Sequence, residues 1–474
     1  MSIDKSNMIS AIQSNIDSAT SSCDTCDLVA LSAAVNATTT DRKNTIALGC
    51  DLPDLYAGNT PEGTTYYVQE FGVPVVATDI CWAGLDGRTY RDDSPTCEIY
   101  AWGFIGNGLS GSDTITSFCY SSPVLAAQDI GDWVSMCAAV YFRTHAIKSN
   151  GTLWSWGGNG SSFCIMGLLA LNTSDSTVYS SPVQEFTSST NWSKVSGAYY
   201  SSAGLKTDGT IWAWGCNYKG IIGNNCHESQ SGPRFYSSPV QEASSSTDWC
   251  TVSMGNRTAS AIKTDGTLWN WGSFFCWGLT CAGLTDTSSP IQEITSSTNW
   301  CFTATGTRTT QAIKTDGTLW GWGQQVCAIL GTGDLISHCV PKQEFCSATN
   351  WCYVDNGYSA RGIKSDGTLW SWGPNSSAIL GVNNGNSFCQ CSPRQEYCSA
   401  TNWSNVKAAN IHAVATKSDG TLWTWGYSCY GVLGLGTSGS STPGYKPCQE
   451  ISSSTDWVLG DTNQTSSYGL KIKV

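Results

Sequence analysis

Histidine is the side chain that most often serves as a general base or a metal ligand, and this chain has four in 474 residues. They are His145, His227, His338 and His412. None of the four is separated from another histidine or from a cysteine by the spacing that a metal site needs. We therefore predict no catalytic residue, no metal site and no cofactor, and we expect a protein that is not an enzyme.

The carboxylates follow a regular pattern that argues against catalysis. A glutamate ends each Val-Gln-Glu or related segment, and an aspartate precedes a glycine in most units. The glutamates are Glu185, Glu242, Glu293, Glu344, Glu396 and Glu450. We interpret both sets as turn and edge residues. A glycan-cleaving propeller would need an Asp/Glu pair in its central channel, and the sequence marks none.

The chain has 23 cysteines, an odd number, so at least one thiol is free or pairs between chains. Cys301 and Cys352 each follow a tryptophan, and Cys346 and Cys398 each lie five residues before one. If neighbouring units bring these columns together, Cys301–Cys346 and Cys352–Cys398 are equivalent bridges. Each closes a loop of about 45 residues, worth roughly 3–4 kcal/mol in the chain-entropy model.

Two further candidate bridges lie within single loops, Cys276–Cys281 and Cys327–Cys339. Cys23-Asp-Thr-Cys26 lacks both the βαβ context of a redox motif and a second pair for zinc, so we favour bridges between chains there. The alternative is that all these cysteines are reduced and act as small hydrophobic residues.

The elements that carry these residues follow from one motif. Six segments resemble Ala-Ile-Lys-Thr-Asp-Gly-Thr-Leu-Trp-x-Trp-Gly, and Glu98 to Gly103 form a partial seventh copy. The first aromatic residues of the motif are Tyr100, Trp154, Trp212, Trp269, Trp320, Trp370 and Trp423. Their spacing of 50 to 58 residues indicates a repeat architecture. Asp-Gly between two short apolar runs predicts a β-hairpin with a type I′ turn.

Two more strands complete each unit. A short strand is expected after a second tryptophan, as at Trp192, and Ser-Pro-Val-Gln-Glu reads as an outer strand whose proline is tolerated at an edge. Seven such units predict an all-β, seven-bladed propeller. The last residues, from Ser467, supply the first strand of a hairpin and Ile99 to Trp102 supply the second. We therefore predict that the seventh blade is built from both ends of the chain.

We assign the motif tryptophans to packing between blades, because a large aromatic side chain recurs wherever the geometry recurs. The set is Trp102, Trp154, Trp156, Trp212, Trp214, Trp269, Trp271, Trp320, Trp322, Trp370, Trp372, Trp423 and Trp425. Trp82 and Trp277 lie outside the pattern, and stacking on sugars or bases is the alternative role for them.

The repeat resembles that of the regulator of chromosome condensation family of seven-bladed propellers. The resemblance covers about residues 98 to 474 and includes the later Ile-Gly and Leu-Gly pairs. These pairs are Ile222-Gly223, Leu330-Gly331, Leu380-Gly381 and Leu433-Gly434. The resemblance implies the fold, whereas function varies with the loops. Nucleotide exchange on a small GTPase and docking on chromatin are the activities it would suggest. The net charge of −12 and the dispersed lysines argue against nucleic acid as a partner.

The first hundred residues do not belong to the repeat. Apolar residues spaced at i, i+3 and i+7 predict a helix over residues 4 to 36. They are Ile9, Ile12, Ile16, Leu28, Leu31 and Val35. So narrow a stripe suits a helical bundle between chains, with a trimer favoured, and the alternative is a helix packed on its own propeller. We divide the chain into a helical oligomerisation and attachment segment (1–50), a small β module (51–97) and the propeller (98–474).

The leader resembles the N-terminal attachment part of fibre-like virion proteins of marine bacteriophages. The resemblance rests on Leu52-Pro53-Asp54-Leu55, Gly63 to Val68, Val73-Pro74-Val75 and Trp82 to Arg88. It implies docking on other virion proteins and display of the propeller towards a host.

Composition is consistent with a virion or extracellular surface, because charged residues make up only 13% of the chain. No segment approaches the length of a membrane span, and residues 1 to 15 lack the apolar core of a signal peptide. We expect a structural appendage protein whose propeller binds a host glycan or protein through the loops after each Trp-Gly. The alternative is an intracellular scaffold or exchange-factor-like binding module.

Overall fold

The computed structural model describes five strands before residue 95 and most of residues 97 to 472. The gaps in the second part are 106–110, 112–118, 127–130, 140–141, 161–166, 174–175, 227–234, 274–285, 308, 384–388 and 438–443. The predicted helix over 4–36, the motif Cys23 to Cys26, the pair Cys276–Cys281 and Trp277 lie outside the described residues.

The chain divides into two compact units, one up to Pro95 and one from Thr96 onwards. The first unit holds a five-stranded sheet in the order β1-β2-β3-β4-β5. Its strands are β1 (Thr45–Ile46), β2 (Thr65–Val68), β3 (Val73–Ala77), β4 (Cys81–Gly84) and β5 (Thr89–Asp92). Two of these strands, β2 and β3, lie within residues 51–97, for which the sequence predicts a small β module.

The second unit consists of seven antiparallel four-stranded blades, whose strands we call a to d in hydrogen-bonding order. One residue pair, Cys97 with Trp133, joins blades 7 and 1 into a single eight-stranded sheet. Blades 1 to 6 follow the chain. Blades 1 and 2 are β8 (Trp133–Ala139), β9 (Arg143–Lys148), β10 (Leu153–Gly158), β11 (Val178–Gln184); and β12 (Trp192–Gly197), β13 (Ser201–Lys206), β14 (Ile211–Cys216), β15 (Phe235–Gln241). Blades 3 and 4 are β16 (Trp249–Met254), β17 (Thr258–Lys263), β18 (Leu268–Gly272), β19 (Thr287–Gln292); and β20 (Trp300–Thr305), β21 (Thr309–Lys314), β22 (Leu319–Gly323), β23 (His338–Gln343). Blades 5 and 6 are β24 (Trp351–Asn356), β25 (Ala360–Lys364), β26 (Leu369–Pro374), β27 (Cys389–Gln395); and β28 (Trp403–Ala408), β29 (His412–Lys417), β30 (Leu422–Gly426), β31 (Gly444–Gln449).

The seventh blade is assembled from both ends of the repeat region, as predicted. Its strands are β32 (Trp457–Thr462), β33 (Ser466–Ile472), β6 (Cys97–Phe104) and β7 (Cys119–Leu125). β33 pairs with β6 over seven residues, with Ser467 opposite Trp102 and Leu470 opposite Ile99. The a strands of successive blades contact one another, and β32 contacts β8. The seven blades therefore form a closed ring with the a strands around its axis.

The described part of the chain contains only two short 3₁₀ turns besides its strands, Tyr218–Gly220 and Ser376–Ala378. None of its helices has the length and apolar character that crossing a membrane requires.

The b–c hairpins are where predicted, but the predicted type I′ turn is wrong. In blade 2 the Gly209 N–H donates to the Lys206 carbonyl at 3.0 Å, and of the two turn residues only Gly209 has positive φ. This is a type I turn followed by a left-handed glycine, the three-residue hairpin alternative. Asp208 favours it because its Oδ1 accepts hydrogen bonds from the N–H and the hydroxyl of Thr210.

The core repeats from blade to blade. The second motif tryptophan is fully buried in every blade, and in five its indole N–H donates to a backbone carbonyl of the preceding blade. For example, Trp425 Nε1 lies 2.8 Å from the Ile379 carbonyl. Gly381 lies directly against this indole, and a Cβ there would be 2.9 Å from Trp425 Nε1. The glycines of the Ile-Gly and Leu-Gly pairs therefore leave the space that the second motif tryptophan of the next blade occupies.

Candidate binding face

The ring has two unlike faces. In an antiparallel blade the a–b and c–d loops leave at one end and the b–c hairpin at the other; we call these the loop face and the hairpin face. The a–b and c–d loops are joined by backbone hydrogen bonds. The Cys216 N–H donates to the Tyr200 carbonyl at 2.7 Å, and the Tyr427 N–H donates to the Ile411 carbonyl at 2.8 Å.

Recurring charged and aromatic residues of the blades contact one another near the b–c hairpins. In blade 2 the Lys206 ammonium lies 4.7 Å and 4.6 Å from the ring centres of Trp192 and Trp212. The other motif lysines make the same pair of contacts, to Trp133 and Trp154, Trp249 and Trp269, Trp300 and Trp320, Trp351 and Trp370, and Trp403 and Trp423. The motif tryptophans thus form two sets. The second tryptophan of each motif belongs to a buried inner set, and the first belongs to a partly exposed outer set that contacts the lysine ammonium.

The recurring glutamates are buried at the end of strand d. The Glu185 carboxylate accepts hydrogen bonds from the N–H groups of Thr187 and Ser189 and from the Trp192 indole. The equivalent glutamates repeat this pattern. Because their acceptor positions are occupied, these carboxylates link strand d to the next blade and are not poised for proton transfer.

The bases of the c–d loops are fixed by amide side chains. The side-chain carbonyl of Asn217 accepts a hydrogen bond from the Ile222 N–H, and Asn375 does the same for Leu380. In blade 4 the longer Gln325 serves this role, with Oε1 3.1 Å from the Leu330 nitrogen. An amide side chain therefore holds the base of each of these three loops.

Tyr199 spans the axis at the loop face. It belongs to the a–b loop of blade 2, yet the Asn410 side-chain nitrogen of blade 6 donates to its hydroxyl at 3.1 Å. The Gln464 amide of blade 7 also donates to this hydroxyl, at 3.3 Å. Three blades thus meet over the axis through one phenol.

The fifth residues of the a strands occupy equivalent places, and most of them link neighbouring blades. From blade 1 to blade 7 these residues are Cys137, Ser196, Ser253, Ala304, Asp355, Lys407 and Asp461. In five blades the side chain accepts the N–H of the sixth a-strand residue of the next blade. The bond from the Ala138 N–H to Asp461 Oδ2, at 3.0 Å, crosses the seam where the last blade meets the first. We call this set the axial collar.

Lys407 is the charged residue of the axial collar that cannot accept the N–H of the next blade, because an ammonium accepts no hydrogen bond. The Thr462 N–H that would have used this position donates instead to Asp461 Oδ1 at 2.7 Å. Lys407 itself pairs with Asp355 at 3.0 Å. Burial lowers the pKa of Lys407, but the charges of Asp355, Tyr353 and Asp461 outweigh it and hold that pKa well above its ordinary value. Burial raises the pKa of Asp461 to about 6, against the opposing charge of Lys407.

Two histidines are buried between blades as neutral hydrogen-bonding groups. His145 lies 2.7 Å from the Ser155 hydroxyl and 2.9 Å from that of Ser202 in the next blade. His412 similarly contacts the hydroxyls of Ser467 and Thr462. Burial lowers the pKa of His145 well below its usual range and that of His412 to about 3. Neither imidazole is accessible for catalysis.

The c–d loop of blade 4, residues 324–337, exposes three aliphatic side chains. Leu335, Ile336 and Val326 are 66%, 65% and 50% exposed. A carboxylate braces the loop: Asp334 receives hydrogen bonds from Thr332 and the Ile336 N–H, and pairs with His338 and Lys342. Despite some burial, these donors, led by Lys342, lower the pKa of Asp334 far below its ordinary value. The loop therefore presents its aliphatic side chains on a braced backbone.

The expected bridges Cys301–Cys346 and Cys352–Cys398 are not formed, since Cys346 and Cys398 are free thiols. Cys301 Sγ instead lies 3.4 Å from the Ile313 carbonyl on strand b of its own blade. Ser193 Oγ makes the same contact in blade 2, so cysteine here takes a serine position within the blade. Cys352 does likewise with Ile363.

Two other cysteine positions bear on the expected bridges. Cys327 carries a free thiol and is not joined to Cys339. Burial, and then the hydrogen bond and charge of Cys327, raise the pKa of Cys389 in blade 5 to about 12. Cys250, by contrast, is disulfide-bonded.

Within the parts of the chain that the structure describes, no three His, Cys, Asp or Glu side chains are grouped to hold a metal ion. Sequence reasoning missed Tyr199 and the axial collar. For the axial collar the available signal was a departure from the repeat: the fifth a-strand position is Cys or Ser in blades 1 to 3, Ala in blade 4, and Asp, Lys and Asp in blades 5 to 7.

Comparison with known proteins agrees with this geometry. Residues 208–262 match the regulator of chromosome condensation (RCC1) repeat. Over 247 residues the chain is 29% identical to the ultraviolet-B receptor UVR8 of Arabidopsis thaliana. The aligned part covers 52% of this chain and 53% of UVR8. The chain thus spans about half the length of the curated relative it matches.

Solved structures share the fold at low sequence identity. Prp20p from Saccharomyces cerevisiae, described with its binding properties to Gsp1p and histones, is 18% identical with a TM-score of 0.67, covering 80% of this chain and 92% of Prp20p. Yeast RCC1 (Prp20) bound to Kap60 is 17% identical, with a TM-score of 0.66 and coverages of 80% and 90%. Human WBSCR16 is 17% identical, with a TM-score of 0.66 and coverages of 79% and 100%. Residues 208–262 thus match an RCC1-type repeat, and residues 97–472 have the fold of the RCC1-type β-propellers.

Proposed function

We propose that this chain is a non-enzymatic binding protein whose propeller binds a partner protein through the c–d loop of blade 4. The observation that carries the proposal is the exposure of Leu335, Ile336 and Val326 on a single braced loop. Exposed aliphatic side chains that cluster on one segment are typical of interaction sites, whereas scattered ones need no explanation.

The chemistry of this loop favours a protein over a sugar or a nucleic acid. Aliphatic side chains gain free energy by excluding water from another apolar surface, and they offer neither the aromatic platform nor the hydrogen bonds that a sugar needs. The net charge of −12 opposes binding to phosphate backbones. The yeast proteins of this fold, described with binding to Gsp1p and histones and in a complex with Kap60, support the use of the fold as a protein-binding surface.

Site-specific photo-crosslinking of the full chain in its native source tests this proposal. A benzophenone side chain at Leu335 is expected to yield a covalent adduct with one partner protein. The matched control places the same group at Phe186, which is 57% exposed and lies beside Glu185 of blade 1. Equal adducts at both positions, or none at Leu335, would contradict the proposal.

The identity of the adduct also separates the two classes of partner. A surface protein of a host cell would support an adhesive role, and a small GTPase would support an exchange-factor-like role. With the partner purified, the double variant L335S/I336S is expected to weaken binding at least tenfold, which is about 1.4 kcal/mol. The variant F186S should bind like the parent.

We also propose that the chain is an appendage of a phage-like particle, anchored and oligomerised by residues 1–50. The support is the resemblance of its leader to virion attachment segments and the low content of charged residues. Native mass spectrometry of the full chain beside a variant beginning at Ser94 tests the assembly role. An oligomer that becomes a monomer on truncation is expected, and a monomer in both cases would overturn it.

A further inference from the structure

The interface between blades 4 and 5 brings two cysteines together, and a repeated backbone contact defines their geometry. In several blades the end of the c–d loop donates a hydrogen bond to a strand d carbonyl of the next blade. In blade 2 the Asn225 N–H donates to Ser288 at 2.6 Å, and in blade 4 the Gly333 N–H donates to Cys391 at 3.0 Å. These two interfaces are therefore in the same register.

The blade 2 interface shows which side chains meet in this register. Lys219, six residues before Asn225, pairs with Asp286, two residues before Ser288, at a distance of 3.0 Å. The same offsets from Gly333 and Cys391 lead to Cys327 and Cys389. A position that holds an ion pair between blades 2 and 3 thus holds two thiols between blades 4 and 5.

We propose that Cys327 and Cys389 form a reversible disulfide that fastens the c–d loop of blade 4 to strand d of blade 5. The bridge closes by thiol–disulfide exchange with a small disulfide such as oxidised glutathione. This inference does not depend on the proposed function, although the fastened loop is the one that carries Leu335 and Ile336.

The two thiols differ in the way that a stepwise exchange requires. Cys327 is exposed, whereas burial, then the hydrogen bond and charge of Cys327 and the charge of Cys391, raise the pKa of Cys389 to about 12. The Cys327 thiolate therefore attacks first, forming a mixed disulfide and releasing one glutathione. Cys389 then loses its proton and attacks the Cys327 sulfur, releasing the second glutathione. Two thiols become one disulfide, and glutathione disulfide is reduced to two glutathiones that carry the two protons.

Peptide mapping of the full chain, equilibrated with oxidised glutathione and then alkylated, tests the bridge. Trypsin cleaves at Lys314, Lys342, Lys364 and Arg394, so Cys327 lies in peptide 315–342 and Cys389 in peptide 365–394. The expected product is these two peptides joined, and they should separate after reduction with dithiothreitol. A bridge to Cys339 would remain within one peptide and would overturn the proposal.

Serine variants assign the sulfurs. C389S should abolish the joined peptides, whereas C391S and C339S should retain them. Cys346, an exposed thiol elsewhere in blade 4, reports whether the conditions oxidise cysteines indiscriminately. Loss of the joined peptides in C391S but not in C389S, or alkylation of Cys327 under all conditions, would contradict the assignment.

Discussion

Single residues at the axis give this propeller its individuality. The repeat places the same tryptophan, lysine and glutamate residues on most blades, yet the axial collar contains a thiol, two hydroxyls, a methyl group, two carboxylates and an ammonium. Each acceptor satisfies an N–H of the neighbouring blade. Lys407, which cannot accept, pairs with Asp355, and Asp461 accepts the Thr462 N–H in its place. The collar tolerates such variety because the backbone group to be satisfied, rather than the side chain, is what recurs.

Removing the Tyr199 hydroxyl should loosen the contact over the axis. The variant Y199F loses the hydrogen bonds from Asn410 and Gln464, each worth about 0.5–1.5 kcal/mol. We expect a lower free energy of unfolding in denaturant titrations. Y358F alters an exposed tyrosine of the a–b loop of blade 5 and should change little. Equal stability of Y199F and the parent would show that the contact contributes nothing.

The buried His412 should make the fold acid-sensitive. Its pKa is about 3 in the fold and near 6.5 when unfolded, so the unfolded state binds more protons between these values. Stability should therefore fall as pH drops from about 6.5 towards 3, by at most about 1.4 kcal/mol per pH unit for this group. Asp461, with its pKa raised to about 6, acts in the opposite direction between about pH 4 and 6. Replacing the imidazole isolates the histidine contribution.

Melting temperatures of H412N and the parent between about pH 7 and pH 4.5 test this linkage. The variant should be less stable than the parent at neutral pH, because it loses contacts to Ser467 and Thr462. Its further decline with acid should be shallower. Parallel pH profiles for the two proteins would contradict a neutral, buried His412.

The contact of Tyr199 could not have been read from the sequence. It joins residues 211 positions apart across the axis, and neither periodicity nor a local motif reports such a meeting. The inner tryptophans are different, because each recurs at a fixed place in every unit and a repeat of that kind indicates a repeated packing site.

Among the elements, the b–c hairpin is the most uniform. Its aspartate accepts from the threonine two residues later, and that threonine hydroxyl in turn accepts from the outer tryptophan. In blade 2 these contacts are Thr210 Oγ1 to Asp208 at 2.6 Å and Trp212 Nε1 to Thr210 at 2.9 Å. The motif Asp-Gly-Thr-x-Trp is therefore one hydrogen-bonded unit, which explains why its residues recur together.

The glycine of this hairpin should be irreplaceable. Gly209 has φ of 74°, and a Cβ there would lie 2.2 Å from the Thr247 carbonyl oxygen. We expect G209A to cost about 1–3 kcal/mol in the free energy of unfolding, by analogy with other strained backbone sites. The matched control is G444A in strand d of blade 6, where the nearest atom to a new Cβ would be 3.6 Å away. Equal losses for the two variants would contradict this reading of the turn.

For these elements, the sequence predicts the positions of the strands better than the geometry of the turn between them. Alternating residues and Asp-Gly locate both strands of each hairpin, but Asp-Gly fits a type I′ turn and a type I turn with a following left-handed glycine. The choice depends on side-chain bonds such as that of Asp208 and on the packing of Gly209 against the next loop. The cysteine columns misled for a related reason: equal spacing reflects equivalent places in the repeat, and equivalent places need not touch.

At the scale of the whole molecule, the seven-bladed architecture depends on closure of the ring. Seven blades form a ring only because β33 and β6, from opposite ends of the repeat region, pair over seven residues. The Ala138–Asp461 bond and the Trp102–Val432 bond hold neighbouring blades beside the split blade. The loop face, the contact of Tyr199 over the axis and the placing of the blade 4 loop exist only in the closed ring. Ring closure was predictable from the sequence because each end of the repeat region carries one strand of the hairpin that the other repeats contain whole.

Hydrogen–deuterium exchange of the full chain is the most direct test of this account. Peptides covering β33 and β6 should be as protected as the covalently joined pair β13 and β14 in blade 2, because both pairs are interior strands of a blade. Full protection of both segments would establish the closed seven-bladed ring. Rapid exchange in β33 or β6, with β13 and β14 protected, would mean an open ring and would contradict the account at its centre.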